Sequence, residues 1–511
     1  MKRWFVDRHP QQGIPSVSLR RLLPDARFVG CKDLEVSGCT ADSRRLDPGQ
    51  VFVAVKGVRH DGHSFVSQAM ERGAAAVVVE RPIPEAGRLQ AVVPDSRVAL
   101  ARICQALAGD PTRQMLTIGV TGACGRTVAA LFLRAIFEAA GGRFGIVGRH
   151  GWSDGAASRP VGAGVPGAEG FAAMLSAMVE HGCAGAVIEL DPDALAARRV
   201  EGMGFDAALV TDVGTASSTT IGDLIARRAA MARLFRQVAP GGTAVVNADD
   251  PHAELLGAVN FEARRVAFGL DAPAEVSARI VRVERTGSRL LLHGFNREAA
   301  VSLRLPGIST VAYALAAAAV AWARGVEISA VVAGLEAVSV VPGRLEPVDE
   351  GQPFDVRTDQ ARLGFELQEA LTSLRAQTPG RVHCVLGAEG AREGDSAHVR
   401  AARLVLATTA EALADCVVLT TDNPRAEDSN QILDDLLAGF SHPGRVQVEP
   451  DRRRAIETAL ANALPGDTVL IAGKGRQAFQ IFAGRVVPCD DAAIARDWLQ
   501  TRRLWRRRTS A

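Results

Sequence analysis

The stretch Gly119-Val120-Thr121-Gly122-Ala123-Cys124-Gly125-Arg126-Thr127 has the residue types and spacing of a phosphate-binding loop with an unexpected cation. The apolar run Leu116 to Val120 reads as a buried strand, and Val128 to Ala140 as the helix that follows it. A glycine turn between two such elements aims backbone N–H groups and a helix N-terminus at a phosphate. Gly122 and Gly125 supply the turn, and Thr127 supplies a hydroxyl suited to a divalent cation. A lysine normally precedes that threonine and reaches the terminal phosphates, whereas this chain has Arg126. The loop thus belongs either to a nucleotide enzyme or to the fold of one without the chemistry.

Two further groups carry polar chemistry. Glu189 ends the apolar strand Ala186-Val187-Ile188 and is followed by Leu190-Asp191-Pro192-Asp193. These carboxylates either hold a hard cation or form a solvated Asp-Pro turn. Much later comes Thr421-Asp422-Asn423-Pro424-Arg425-Ala426-Glu427. Arg425 can pair bidentately with a carboxylate, while Asp422 and Asn423 add polar contacts.

These groups need scaffolds, and 511 residues exceed one ordinary core, so two to four domains are expected. Residues 1–107 read as a small α/β unit with strands at 51–55 and 75–79 around a helix at 64–72. From 108 to 340, strands at 116–120, 186–190, 207–211 and 243–247 alternate with helices, which implies a mostly parallel sheet. Val341-Pro342-Gly343-Arg344 punctuates the chain as a hinge. Beyond it, in 341–511, strands at 382–386, 416–420 and 468–472 alternate with helices in a third α/β unit.

A net charge of +2 argues against a general nucleic-acid binder. No apolar run approaches the roughly 18 residues of a membrane span, and the basic N-terminus lacks the apolar core of a signal peptide, so a cytoplasmic location is expected. The eight cysteines show no Cys-x-x-Cys and read as small buried apolar residues. The cations are nearly all arginine, with lysine only at 2, 32, 56 and 474. Such a drift can remove a loop lysine without selection for a new role. The tail Arg502-Arg503-Leu504-Trp505-Arg506-Arg507-Arg508 reads as a solvated basic helix end rather than a polyanion site.

Three α/β domains with a phosphate loop opening the second resemble the Mur ligases of peptidoglycan synthesis, most nearly the MurE type, over about residues 40–492. The resemblance implies a central P-loop-type, mostly parallel sheet with helices on both faces and a Rossmann-like C-terminal domain. It also implies ATP-dependent addition of an amino acid to UDP-N-acetylmuramoyl-dipeptide, with Mg2+. Asp42-Ser43-Arg44 with the following Asp47-to-Ala54 run and Asp61-Gly62-His63 is similar to the family's UDP-binding segment, placing Ser43 and Arg44 at the UDP substrate together with Arg199. Asn247-Ala248-Asp249-Asp250-Pro251 is similar to the segment that meets adenine, and Arg344 to a hinge arginine approaching the nucleotide. Glu189 and Thr127 stand where the family holds magnesium. Asp422, Asn423 and Arg425, with Arg392 and Gly473, stand where diaminopimelate-adding members grip the incoming amino acid.

The departures from that pattern are concentrated on chemistry. The family makes an acyl phosphate that an amine then attacks, a path that needs a lysine and magnesium at the phosphates. Arg126 replaces the lysine with a bulkier forked cation, and Cys124 stands for an asparagine. Val-Ser-Ser-His becomes Leu190-Asp191-Pro192-Asp193, and Asn-Leu-Ser-Arg-Asp-His-Leu-Asp becomes the run from Asp212 to Thr219. Met231 occupies the position of a carbamylated lysine, which a thioether cannot replace. Thr-Thr-Pro reads Gly164-Val165-Pro166, Asp-Tyr-Ala-His reads Asp359-Gln360-Ala361-Arg362, Gly-Gly-Asp-Arg-Asp reads Glu389-Gly390-Ala391-Arg392-Glu393, and Gly-Lys-Gly-His-Glu reads Gly473-Lys474-Gly475-Arg476-Gln477.

Two readings of different class follow. One is a catalytically impaired paralogue that binds UDP-N-acetylmuramoyl-peptide or nucleotide and acts with protein partners in envelope synthesis. The other is an active tripeptide synthetase with atypical residues. An unrelated phosphate-loop kinase is a remote third.

Overall fold

Hydrophobic runs bounded by glycine turns set the architecture. The computed structural model describes residues 16–509 except 31–32, 58–59, 85–88, 149–150, 160–165, 215–220, 254–261, 285–286, 306 and 392–395, with backbone alone at 221–224, 396–398 and 503–509. Three large sheets carry the described chain, beside two small two-stranded ones.

The first sheet orders its strands Arg27–Val29, Gln90–Val92, Ala76–Val79, Val51–Val53 and Cys39–Thr40, parallel except at the first pair. Val51, Val53, Ala76, Val78 and Ala91 pack against the helix Ser96–Leu107, and Phe52, Val77 and Val79 fill a second layer beneath Val66 and Ala69. Period-two alternation of β-branched residues with both faces buried fits this arrangement.

The central sheet has eleven strands. Its parallel heart runs Phe144–Gly148, Gly185–Glu189, Leu116–Thr121, Phe205–Val210, Val238–Asn247 and Arg264–Gly269. An antiparallel extension, Val276–Glu284, Gly287–His293 and Ala299–Leu303, lengthens it on one side. Ile118, Val120, Ala207 and Leu209 face the helices Arg126–Ala139, Ser309–Ala323 and Ile328–Ala337. Ala186, Ile188, Ala208 and Val210 face Ala168–Glu180 and Ile221–Arg236 on the other side. Alternate residues of each strand thus serve two cores, and helices cover both faces. The strand with the phosphate loop lies in the middle of this heart, where loops at the carboxyl ends of parallel strands open a crevice.

The third sheet orders Glu346–Pro347, Asp355–Asp359, Thr468–Ala472, Val382–Leu386, Cys416–Leu419 and Gln447–Val448, parallel except at the first pair. Its helices Gly364–Arg375 and Ser396–Leu413 pack on one face, and Arg452–Asn462 with the start of Asp491–Thr509 on the other.

Strands 382–386 and 468–472 coincide with the sequence reading, and the others agree to within a few residues. The helix after the phosphate loop begins at Arg126, two residues before the apolar pattern does. Gly125, at φ 69°, turns the chain sharply enough to start it there. All seven described cysteines are free thiols. Cys39 and Cys104, distant in sequence, bring their sulfurs to 3.6 Å. No helix among the described residues is long and apolar enough to cross a membrane.

Candidate functional site

A cavity of about 270 Å3 opens where the phosphate loop meets the hinge and the third domain. Ala123 to Val128 form one wall, Glu189 and Tyr313 the floor region, and Val341, Arg344, Asp359, Phe365, Glu366 and Glu369 the opposite side. Gly122, at φ 148°, has no room for a Cβ against the Thr211 hydroxyl, and a Cβ on Gly125 would collide with the Tyr313 ring. Both glycines are therefore required by close approach as well as by backbone angle.

The loop is tied down by its neighbours. Asp212 accepts from the Cys124 N–H at 2.8 Å and its carbonyl from the Ala123 N–H at 3.2 Å. The Thr211 hydroxyl donates to the Cys124 carbonyl at 2.6 Å. Those two loop N–H groups are spent on the protein. The first turn of the helix, whose N–H groups have no intrahelical acceptor, is what remains for a phosphate. Burial pushes both the Asp212 carboxyl and the Cys124 thiol up, so the thiol is a neutral wall residue rather than a nucleophile.

Thr127 donates to Glu189 Oε1 at 2.9 Å, and Glu189 is only 7 % exposed. A hydroxyl and a carboxylate suit a magnesium ion that completes its shell with phosphate oxygens and water. Among the described residues no group of three His, Cys, Asp or Glu side chains could hold a cation by itself. The pair thus fits metal brought with a nucleotide, whose chemistry would be to neutralise charge on the phosphates. Arg126 complicates the fit. Its guanidinium turns back, donating through Nη1 to the carbonyls of Gly122 and Ala123, and its Nε lies 3.8 Å from Glu189 Oε1 without a hydrogen bond. The chain's own cation therefore sits beside the carboxylate a metal would use.

Across the cavity, Arg344 pairs with Glu366 at 2.9 Å and Asp359 at 3.4 Å. Burial works against its charge, yet Glu366 and Asp359 hold its pKa above the ordinary arginine range. Burial pushes the Asp359 carboxyl up to about 6, against the pull of Arg344. Tyr313, the chain's single tyrosine, stands over Gly125, with burial pushing its phenol up.

The other anticipated residues lie elsewhere. Asn247 donates to the Thr211 carbonyl at 3.2 Å and accepts from Asp249 N–H at 3.0 Å, bracing the loop's neighbour without lining the cavity. Asp249 accepts three backbone N–H groups, from Leu270, Asp271 and Ala272, so it builds a turn. Asp191 caps the short helix Pro192–Ala196 by accepting from Ala194 N–H at 2.6 Å, which favours the turn over the cation. Met231 is 1 % exposed inside an apolar core with Phe205, Leu234 and Phe235. Arg199 follows the short helix and does not line the cavity. In the first domain Ser43 donates to Gln68 at 2.7 Å, and the exposed Arg44 pairs twice with Asp42 at 2.9 Å. Arg392 lies outside the described residues, as do Gly164, Val165, Glu393 and 215–219 of the divergent run.

A second cluster gathers in the third domain. Lys474 and Asp422 form a fully buried ion pair at 2.9 Å, and Lys474 also donates to Asn423 Oδ1 at 3.2 Å and the Phe479 carbonyl at 2.7 Å. A Cβ on Gly473, at φ 111°, would press on Asp422 Oδ2 at 2.9 Å. Arg425 adopts a left-handed backbone, φ 59°, and reaches Glu389 at 3.0 Å. Arg362 reaches the same carboxylate at 2.9 Å and Gln477 at 2.7 Å. The structure thus joins Asp422, Asn423, Arg425 and Gly473, as anticipated, and adds Arg362, Glu389, Lys474 and Gln477. Tyr313, Phe365 and Glu366 were not anticipated at all. The uniqueness of the tyrosine was the one available signal for the first of these.

An α/β chain with a phosphate loop between a substrate-sized first domain and a hinged third domain defines a class of nucleotide-dependent ligase folds. Family comparison makes the assignment specific. Residues 35–107 match the model "Mur ligase family, catalytic domain", 120–321 the "Mur ligase middle domain" and 343–475 the "Mur ligase, glutamate ligase domain". A UDP-N-acetylmuramyl-tripeptide synthetase of Roseiflexus sp. (strain RS-1) is 38% identical over 490 residues, covering 90% of this chain and 94% of the relative. A UDP-N-acetylmuramoyl-L-alanyl-D-glutamate–2,6-diaminopimelate ligase of Geobacillus thermodenitrificans (strain NG80-2) is 35% identical, again over 90% and 94%. A solved structure of a ligase with that same description superposes with TM-score 0.65 at 24% identity, covering 96% of this chain and all of the other, which supports the fold. The chain belongs to the Mur ligase family, in its MurE-like branch.

Proposed function

We propose that this chain binds a nucleotide in the cavity beside the phosphate loop and a UDP-N-acetylmuramoyl-peptide through its first domain, but that amide ligation is impaired. Its role is then that of a binding or regulatory member of peptidoglycan-precursor synthesis, alongside protein partners. The observation that carries this reading is the state of the phosphate loop's cation. Arg126 is folded onto the loop carbonyls and lies beside Glu189, so it competes for the carboxylate instead of reaching outward. Met231 adds to this, because an apolar core surrounds the position at which the family pattern has a carbamylated lysine. Losing a preorganised electrostatic contact costs about 10²–10³ in rate, and two such losses leave little turnover.

The alternative, an active ATP-dependent tripeptide synthetase with atypical residues, draws support from the intact Thr127–Glu189 pair. One experiment separates them: ATP binding by calorimetry, alongside phosphate release with magnesium, UDP-N-acetylmuramoyl-Ala-Glu and amino acids including diaminopimelate. Binding without release is expected. Release that requires both substrates would establish the alternative, and no binding of ATP would remove the nucleotide part of the proposal.

A further inference from the structure

Glu389 occupies an unusual place in the third domain. It follows strand Val382–Leu386 on the loop that leads to helix Ser396–Leu413. Three side chains from two segments converge on its carboxylate: Arg362 at 2.9 Å, and Arg425 at 3.0 Å with Asn423 at 3.1 Å from the Asp-Asn-Pro-Arg stretch. Two guanidiniums and one amide around a single carboxylate are the groups a protein uses to recognise an acid. The acid present here is the chain's own.

Two observations separate this cluster from an ordinary structural ion pair. The first is that the loop does not need the Glu389 side chain to hold its position. The buried Arg403 donates to the Glu389 carbonyl at 3.1 Å, and the next residue's N–H donates to the Asn423 carbonyl at 2.8 Å. Gly390 packs so closely on the Pro424 carbonyl that no side chain could stand there. The backbone is pinned while the glutamate side chain keeps its rotatable bonds. The second is access. Arg362, Arg425 and Glu389 keep 24, 27 and 25% of their side-chain surface exposed, whereas the Lys474–Asp422 pair behind them keeps none. Arg425 is aimed into the cluster from a left-handed backbone, and its Nε is buried without a hydrogen bond. That guanidinium is incompletely satisfied by its present partner.

We propose that Arg362, Asn423 and Arg425 form a carboxylate-binding site whose resident occupant is Glu389, and that a small-molecule carboxylate of amino-acid size takes its place when the glutamate side chain swings out. Burial opposes the charge on Glu389, but Arg362 and Arg425 outweigh it and hold the carboxyl ionised. An incoming acid therefore competes with a fully charged internal one, and weak binding by the unmodified chain follows. The inference deepens the reading of the third domain as an amino-acid site and rests on that reading only for the choice of diaminopimelate as a probe.

The test is calorimetric titration of the full chain with diaminopimelate and with acetate, using the unmodified protein, Glu389→Gly and Glu389→Gln. Cooperative melting of each variant and its ATP affinity are measured beside it. Both variants are expected to bind diaminopimelate at least about 10-fold more tightly than the unmodified chain, and adding Arg425→Ala should remove the gain. Unchanged diaminopimelate affinity in folded variants would overturn the proposal. So would binding of acetate alone, which would mean a closed ion pair whose deletion leaves a hole too small and too shielded for a real ligand. The ATP arm keeps the carboxylate site separable from the nucleotide site, because loss of ATP binding leaves the diaminopimelate result intact.

Discussion

The phosphate loop and the third-domain cluster both gather charged side chains, yet they handle them differently. At the loop, Arg126 and Asp212 partly satisfy the groups a nucleotide would meet, but a cavity of about 270 Å3 remains in front of them. In the third domain, Glu389 is drawn onto Arg362, Asn423 and Arg425 together. The loop keeps the shape of a site while its cation has changed; the cluster keeps the cations while its shape is filled from within. On the function proposed here, substitution at a ligand site need not remove binding groups. It can supply the counter-charge that the ligand would have brought.

The comparison breaks most sharply if the buried pair behind Glu389 is not structural. Lys474→Met leaves Asp422 ionisable, buried and without its cation, a loss that typically costs about 3–5 kcal/mol. Urea unfolding followed in the third domain should show it. A loss below about 1 kcal/mol would mean that the Lys474–Asp422 pair is a ligand subsite like its neighbours, and the contrast between inner and outer charges would go.

Next in size is a pH effect on the cavity side. In the folded chain burial raises the Asp359 carboxyl to about 6 from an ordinary 3.8. Between those values the native state holds the proton more tightly than the unfolded state. Stability therefore falls as pH rises through this window, by about 3 kcal/mol in all. Asp359→Asn should flatten the dependence between pH 4 and 6 in denaturant titrations. If the slope persists in the variant, another group across the cavity owns it.

How much of this could be read from residues alone follows from the range of the interactions. The strand Leu116–Thr121 and the loop glycines follow local pattern, and the sheet heart they imply is present. Glu189 and Thr127, 62 residues apart, are placed together only by the family resemblance. The antiparallel extension from Val276 to Leu303 escaped because its outer positions, such as Arg279, Val281 and Arg282, face solvent with mixed character, which blurs the alternation. Glu389 escaped for a different reason. Its partners Asn423 and Arg425 lie 34 and 36 residues away, and no periodicity reports which distant arginine a loop carboxylate will meet. Asn247 and Asp249 show how local backbone engages residues apt for a ligand: Asn247 accepts from the Asp249 N–H, and Asp249 from the Asp271 N–H.

Shape at the loop is tested by Gly125→Ala. The residue sits at φ 69° with the Tyr313 ring against it, so a methyl must strain the backbone and displace the ring together. Left-handed backbone costs about 1–2 kcal/mol in a non-glycine residue, and overpacking adds about as much again. ATP affinity should fall by roughly 10²-fold, and the same strain should lower the melting temperature by several degrees, about 2–4 °C per kcal/mol. Unchanged affinity would mean that the loop no longer serves a nucleotide.

The smallest effect is the most informative about the changed cation. Arg126 sits 3.8 Å from Glu189, so it already neutralises the carboxylate on which a magnesium ion would rely. Nucleotide binding by the unmodified chain should then depend little on magnesium, within about 3-fold when a chelator is added. Arg126→Lys replaces a forked planar cation by a compact one that cannot span the Gly122 and Ala123 carbonyls and Glu189 alike. With the Arg126 guanidinium no longer beside Glu189, magnesium should strengthen ATP binding by about 10-fold, worth roughly 1.4 kcal/mol. Turnover should not return with it, because Met231 remains in the apolar core, and Met231→Lys would bury a charge there instead of supplying a ligand. Equal magnesium dependence before and after the change would show that Arg126 is a neutral replacement, and the loop would then differ from the third-domain cluster in nothing but the space left open before it.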